Sequence, residues 1–303
     1  MQNPEVVLRC LAAKEPSYPF KRLYRNLYNR DFYLLASTKL VQGDAPARMD
    51  GAVIDGVRPL NIDNTIAALK SLSYQPRPVK WTAVPTAEGR KWLHPVPANE
   101  DALVLEVLRM LLEAIYEPHF SPSSHGFRPH RSCHTALLQI KREFAGADWL
   151  IKTDMADFYY KMDRRLMLQI LRRKIKDERF ILLIGKCLKA GYLHDWEINR
   201  TYSGTPVGGI LSPMLANIYL HELDRFVGRY RDACRGYGGD GHGIVYTRYA
   251  AAFMIGVTGS KADARKLQKD VSEFLSKELH LQLSPEQTQI THASEFTRFW
   301  GMT

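Results

Sequence analysis

The side chains best suited to chemistry sit where apolar runs end. "DWLIKTDMADFYY", residues 148–160, reads as a strand closing on Asp154, with Asp157 three positions later. A carboxylate at the point where a strand leaves a sheet is placed to hold Mg²⁺, a hard cation that takes oxygen ligands. An exposed strand-end aspartate is the plainer reading. "SHGFRPHRSCHTAL", residues 124–137, gathers His125, Arg128, His130 and Arg131 around a proline turn ahead of a helix. Helix-start amides and guanidinium groups both suit phosphate. The mixed loop-and-helix setting of His125, His130 and His134, without acidic partners, favours solvated polar residues over a metal. "SGTPVGGILSPMLANIYL", residues 203–220, sets Pro206, Val207, Gly208 and Gly209 ahead of a long helix. Paired glycines let a backbone approach a ligand closely, and the helix behind adds a positive N-terminal end.

The stretch "VYTRYAAAFMIGV", residues 245–257, has two β-rich arms that meet at Ala250, Ala251 and Ala252. Tight hairpin turns favour Gly, Asn or Asp, which tolerate positive φ or bond their own backbone. Alanine does neither. Arms built to present something at a tip present methyl groups.

The elements that must position these residues follow from periodicity. Residues 4–40 read as short basic-aromatic helices in which Arg22, Arg25 and Arg30 interleave with Tyr24, Tyr28, Phe32 and Tyr33. Such arginines and rings can pair with phosphates and stack on bases, and the rings can equally be core. A Gly-, Pro- and Asp-rich loop at 41–60 precedes a helix near 62–72, and a proline-rich stretch holds a strand around "VKWTAV". In "NEDALVLEVLRMLLEAIYEPHF", Leu103, Val104, Val107, Leu108, Leu111, Leu112 and Ile115 recur at helical spacing until Pro118. Helices are expected over 163–174, 177–190 and 262–279, with a short strand at "QTQITHA". Strands and helices mixed without regular alternation, plus an internal hairpin, point to an α+β fold.

The net charge of +10 over 303 residues favours a polyanionic partner, nucleic acid first. Cys10, Cys133, Cys187 and Cys234 have no CxxC spacing, as expected of reduced thiols in a cytoplasmic protein. The start lacks a signal-peptide pattern, and no apolar run approaches the roughly 18 residues that span a membrane.

Four blocks, "SSHGFRPHRSCHTAL", "GTPVGGILSPMLANIYL", "RYAAAF" and "LHLQLSPEQTQI", occur in an order and spacing that resemble the reverse transcriptases and maturases encoded by group II introns. The resemblance runs from about residue 5 to 301. It implies a right-hand polymerase, with an antiparallel palm sheet whose central hairpin packs against helices. The domains expected from it are a basic helical extension at 1–40, fingers at 41–140 and a palm at 141–303, with thumb and later domains absent. The reaction it implies is RNA-templated DNA synthesis from dNTPs by two-metal chemistry, with Mg²⁺ or Mn²⁺.

Carried over residue by residue, Asp154 matches the strand-end metal ligand and catalytic carboxylate. Ala251 and Ala252 stand where the family's Tyr-Ala-Asp-Asp tip has its two aspartates. Tyr159 takes the place of the sugar-discriminating ring. Arg128, Lys91, Pro206, Val207, Gly208 and Gly209 fall on nucleotide- or template-facing segments, and Arg22, Arg25, Arg30 and Arg131 are the RNA-binding candidates. Val207 replaces a Gln, Trp92 a fingers Arg and Gln287 a Lys, so the departures cluster on substrate-facing loops. Metal binding is therefore expected to be weak or absent, and synthesis disabled. The expected partners are intron RNA and a primer-template duplex, and an apolar patch on a palm-type surface would allow a homodimer. The alternative is a non-catalytic RNA-binding maturase scaffold that assists intron folding.

Overall fold

The computed structural model describes residues 2–42, 62–85, 91–194, 197–199, 204, 209–236 and 243–295. In chain order come α1 (Pro4–Ala12), α2 (Arg30–Gln42), α3 (Ile62–Lys70), β1 (Val79–Pro85), β2 (Lys91–Val96) and α4 (Asn99–Tyr116). Next are α5 (Cys133–Glu143), β3 (Trp149–Thr153), the single-turn α6 (Phe158–Lys161), α7 (Arg164–Lys174) and α8 (Glu178–Lys189). Then follow β4 (Tyr192–His194), β5 (Glu197–Asn199), α9 (Ser212–Gly236), β6 (Ile244–Tyr249), β7 (Ala252–Val257), α10 (Lys261–Leu279) and β8 (Gln289–His292). The chain forms two units, one made of Met1–His119 with Asp163–Leu215, the other of Phe120–Met162 with Ala216–Thr303. None of the described helices is long and apolar enough to cross a membrane.

The first unit is built on α4. All seven of its periodic apolar residues are buried, as the spacing predicts, and so are Glu106 and Arg109. Arg109 makes a two-pronged pair with Glu106, at 2.8 Å for each bond, and reaches Glu113 at 3.1 Å. The side chains thus satisfy one another inside the helix face, where an unpaired charge would be costly. Helix α7 starts on Asp163, whose carboxylate accepts from Arg165 N and Leu166 N, and α8 starts on Asp177, which accepts from Phe180 N. These are N-caps that satisfy otherwise orphaned amides. A four-stranded sheet has the order β2-β1-β4-β5. The rings of the N-terminal segment are mostly core: Tyr24, Phe32 and Tyr33 are buried. Tyr33 Oη donates to Leu27 O at 2.7 Å, and Tyr24 Oη donates to Leu69 O at 3.0 Å. Burial pushes the Tyr24 phenol up to about 12.

The second unit is built on a four-stranded sheet in the order β6-β7-β3-β8, antiparallel at every pairing. Helix α5 covers one face, where Ala136 and Phe144 bury Met254, with Leu137, Ile140, Leu150 and Val245 around them. Helix α10 is fixed at its start by a reciprocal cap between Ser260 and Asp263, and buries Ala264, Leu267, Val271, Leu275 and Leu279 at helical spacing. Gly256 lets the 144–147 segment that follows α5, and the Val245 side chain of β6, pack close to β7. A Cβ there would stand 2.6 Å from Val245 Cγ2 and 2.9 Å from Ala147 Cβ. Gly256→Ala is expected to destabilise the protein by about 1–3 kcal/mol through overpacking. Chemical denaturation would show this as a lower midpoint at an unchanged slope.

Candidate functional site

The hairpin of the second unit turns through two residues, Ala250 and Ala251, because Ala252 already pairs with Tyr249 as the first residue of β7. Ala250 has φ +54°. Positive φ at only the first central residue is the sign pattern of a II′ turn, where glycine is the usual occupant. For alanine such a sparsely populated positive-φ conformation costs about 1–3 kcal/mol, so the turn has to be held by its surroundings.

Those surroundings converge on Arg248, which is fully buried. Its Nε and Nη2 donate to the two oxygens of Asp224, at 2.8 and 2.7 Å. Nη2 also donates to Ser124 Oγ at 2.8 Å, and Nη1 to Asn217 Oδ1 at 3.2 Å and Ala250 O at 2.9 Å. Burial alone would push the guanidinium down, but the Asp224 carboxylate outweighs it and holds Arg248 above its usual value. The segment Ser123–His125 runs beside β6: Arg248 N donates to Ser123 O at 2.8 Å, and His125 N to Arg248 O at 2.9 Å. Gly126 then passes the turn so closely that a Cβ would lie 2.3 Å from Ala250 N. That clash explains the glycine in "SHGFRP".

Asp154 reaches the same place from the adjoining strand. Thr153 is opposite Phe253, so extending the register by one residue sets Asp154 across from Ala252. Its carboxylate accepts from Met155 N at 2.7 Å, and burial raises its pKa. Ser284 N donates to Asp154 O at 2.8 Å and closes the backbone behind it. Tyr159 follows in α6, its hydroxyl buried and without a hydrogen-bond partner among the described residues. Burial pushes this phenol up, and the Asp154 carboxylate adds to the effect against the pull of Arg248. Asp157 does not join Asp154. Its side chain is 66% exposed and pairs with Lys161 at 3.3 Å, and its own φ is +51°.

Divalent ions held in a pair need several carboxylate oxygens. The tip offers two methyl groups and one half-buried carboxylate with a raised pKa, so the residues present do not fit such a pair. Among the described residues no group of three or more His, Cys, Asp or Glu comes together to hold a metal.

The other candidate residues are spread between the units. In the second unit Arg128 is buried. Its Nη1 donates to Ser121 O at 2.6 Å and Ser124 O at 2.8 Å, and its guanidinium lies 5.3 Å from the Phe120 ring centre. Arg131 Nη1 donates to Pro122 O at 2.6 Å. His125, expected to be solvated, is instead buried between Thr135 Oγ1 at 2.8 Å and Gln139 Oε1 at 2.6 Å. Thr135 and Gln139, one turn apart on α5, give both ring nitrogens a partner, so the ring is satisfied inside. In the first unit Arg22, Arg25 and Arg30 are exposed. Gly209 precedes α9, and Arg164 Nε donates to Gly204 O at 2.6 Å. Pro206, Val207, Gly208 and the side chains of Lys91 and Trp92 lie outside the described residues.

Sequence reasoning missed Arg248, Asp224 and Asn217. A signal was present, because Asn217 and Asp224 are seven residues apart on α9 and share the face of Leu220 and Val227. Polar residues in phase with a buried stripe require a buried partner.

Residues 100–303, which hold the antiparallel sheet, its hairpin turn and the strand-end aspartate, match the sequence model described as Reverse transcriptase (RNA-dependent DNA polymerase), a family of right-hand polymerases. The chain belongs to the reverse transcriptase family, within its group II intron-encoded branch. It is 36% identical to the group II intron-encoded protein LtrA of Lactococcus lactis subsp. cremoris, over 93% of this chain and 56% of that protein. It is 33% identical to an uncharacterized 91 kDa protein in the cob intron of Schizosaccharomyces pombe, over 93% of this chain and 42% of that protein. The chain thus spans about half the length of the curated relatives it matches. Telomerase from Candida albicans, in a complex with a fragment of telomeric RNA, shares the fold. Its TM-score is 0.51 at 13% identity, covering 74% of this chain and 44% of that one. Use of divalent metal is general to the family.

Two histidines make the second unit sensitive to acid. Burial lowers the pKa of His125, with Arg131, Arg128 and Arg248 adding to it, and burial with Arg248 and Arg225 lowers that of His221. Both stay neutral when folded and protonate more readily when unfolded. Stability is therefore full above the unfolded value near 6.5 and falls as pH drops below it. Melting temperatures measured from pH 8 to pH 5 should decline through that window, less steeply in a His125→Gln variant.

Proposed function

We propose that this chain is a group II intron-type reverse transcriptase or maturase region that grips intron RNA or a primer-template duplex but does not join nucleotides. The observation that carries the reading is the pair Ala251 and Ala252 at the hairpin turn, in register with Asp154. In this reading Asp154 is the remaining metal ligand, Mg²⁺ or Mn²⁺ binds weakly at best, and Tyr159 meets the sugar of a dNTP. Lys91 and residues 206–209 are the nucleotide- or template-contact candidates of this reading, with Arg128 supporting that surface through the carbonyls of Ser121 and Ser124. The division into an extension at 1–40, fingers at 41–140 and a palm at 141–303 belongs to the same proposal, as do a cytoplasmic setting and a homodimer.

A second reading, the non-catalytic maturase scaffold, is favoured by the exposed Arg22, Arg25 and Arg30 together with the +10 charge. Primer extension by A251D/A252D decides between them, since a silenced polymerase recovers and a scaffold does not. The chain should give no product with either ion, and A251D/A252D should recover extension. Robust extension by the unaltered chain would overturn the proposal. Grip on RNA should depend steeply on salt, losing about a thousandfold or more between 50 and 200 mM if six or more phosphates are contacted. Arg22→Ala with Arg25→Ala should lower the slope of log affinity against log salt by about 1 to 2.

A further inference from the structure

We propose that Arg248 is the positioning residue of the hairpin tip: braced by Asp224 and Asn217, it holds the Ala250 carbonyl and so fixes where positions 251 and 252 present their side chains. The guanidinium does not touch either side chain. It works through the backbone, two residues further along the chain and just past its own strand, with Nη1 on Ala250 O at 2.9 Å.

Ala250 is in a conformation that an alanine left to itself abandons, because Cβ crowds its own carbonyl when φ is positive. The turn is held by two contacts. Gly126 leaves no space for the turn to move toward it. The second contact is the Arg248 fork, whose three nitrogens are all bonded. Asn217 couples the two grips, since its Nδ2 donates to Gly126 O at 2.8 Å while its Oδ1 accepts from Arg248. Tyr246 Oη donates to Asp224 Oδ1 at 2.9 Å and completes the fixing of the carboxylate. A buried ion pair contributes little net stability relative to apolar residues of the same volume, and its best-attested use is to specify one arrangement. Here the arrangement specified is the turn. Lysine cannot replace the fork, because one ammonium does not span a bidentate carboxylate and a carbonyl in fixed geometry.

Two measurements test this, and only the second rests on the proposed function. In the chain as it stands, Arg248→Lys should speed amide hydrogen exchange at Ala251 and Ala252 at least tenfold, while Ile151 and Ile255 in the sheet interior keep their rates. It should also shift the methyl resonances of Ala250, Ala251 and Ala252 in alanine-labelled protein. Unchanged exchange at the tip, or an equal rise throughout the sheet, would overturn the proposal. If Arg248→Lys does not fold, Asn217→Ala removes one brace of the same fork, and the same two outcomes decide. In A251D/A252D, adding Arg248→Lys should weaken Mn²⁺ binding at least tenfold, read by electron paramagnetic resonance, with RNA affinity unchanged. A merely structural residue would lower the melting temperature and leave Mn²⁺ affinity of the folded protein alone. Equal Mn²⁺ affinity with and without Arg248 would overturn the positioning role. If A251D/A252D binds no Mn²⁺ at all, the reading of the tip as a vacated carboxylate site fails, while the exchange measurement still decides the role of Arg248.

Discussion

A single buried ion pair, Arg248 with Asp224, holds the second unit to one arrangement. Its four bonded partners lie in three segments: Ser124, then Asn217 and Asp224 on α9, and the Ala250 carbonyl of the turn. Neither charge is exposed. Removing one partner of such a pair leaves an uncompensated charge in the interior, at a cost of about 3–5 kcal/mol. The strand β6, the helix α9 and the 123–126 segment can therefore shift only together.

The same chemistry recurs at lower stakes. Arg128 binds the carbonyls of Ser121 and Ser124, Arg131 that of Pro122, and, in the other unit, Arg164 that of Gly204. Segments rich in proline and glycine lack a ladder of backbone partners, and their carbonyls still need donors. Guanidinium groups supply them. The +10 charge thus has two components, arginines that hold the protein's own loops and arginines such as Arg22 and Arg25 that face solvent.

Much of this was legible in the sequence because it rests on periodicity. Helix α4, the α7–α8 pair and α10 fall within a residue or two of the spacing-based expectation, since burial of one face forces the repeat. The antiparallel sheet and the partnership of Asp154 with the tip came from the resemblance, and the register supports both. Three features were not legible. That the chain leaves one unit near 162 and returns to it near 216 has no local signal, because contacts between distant segments leave no periodicity. The inward turn of Arg128 and the burial of His125 were hidden because phosphate-binding and carbonyl-binding residues have the same composition. The strain at Ala250 was half visible, as a turn made of the wrong residue.

The close passage of Gly126 beside the turn has a wider implication. What fixes the turn is the buried Arg248 on the Ala250 carbonyl and the backbone of Gly126, and neither contact uses the side chains at 251 and 252. Shape and reaction are thus inherited separately. A lineage, or an engineer, can exchange the two tip side chains and keep the vessel that carries them intact.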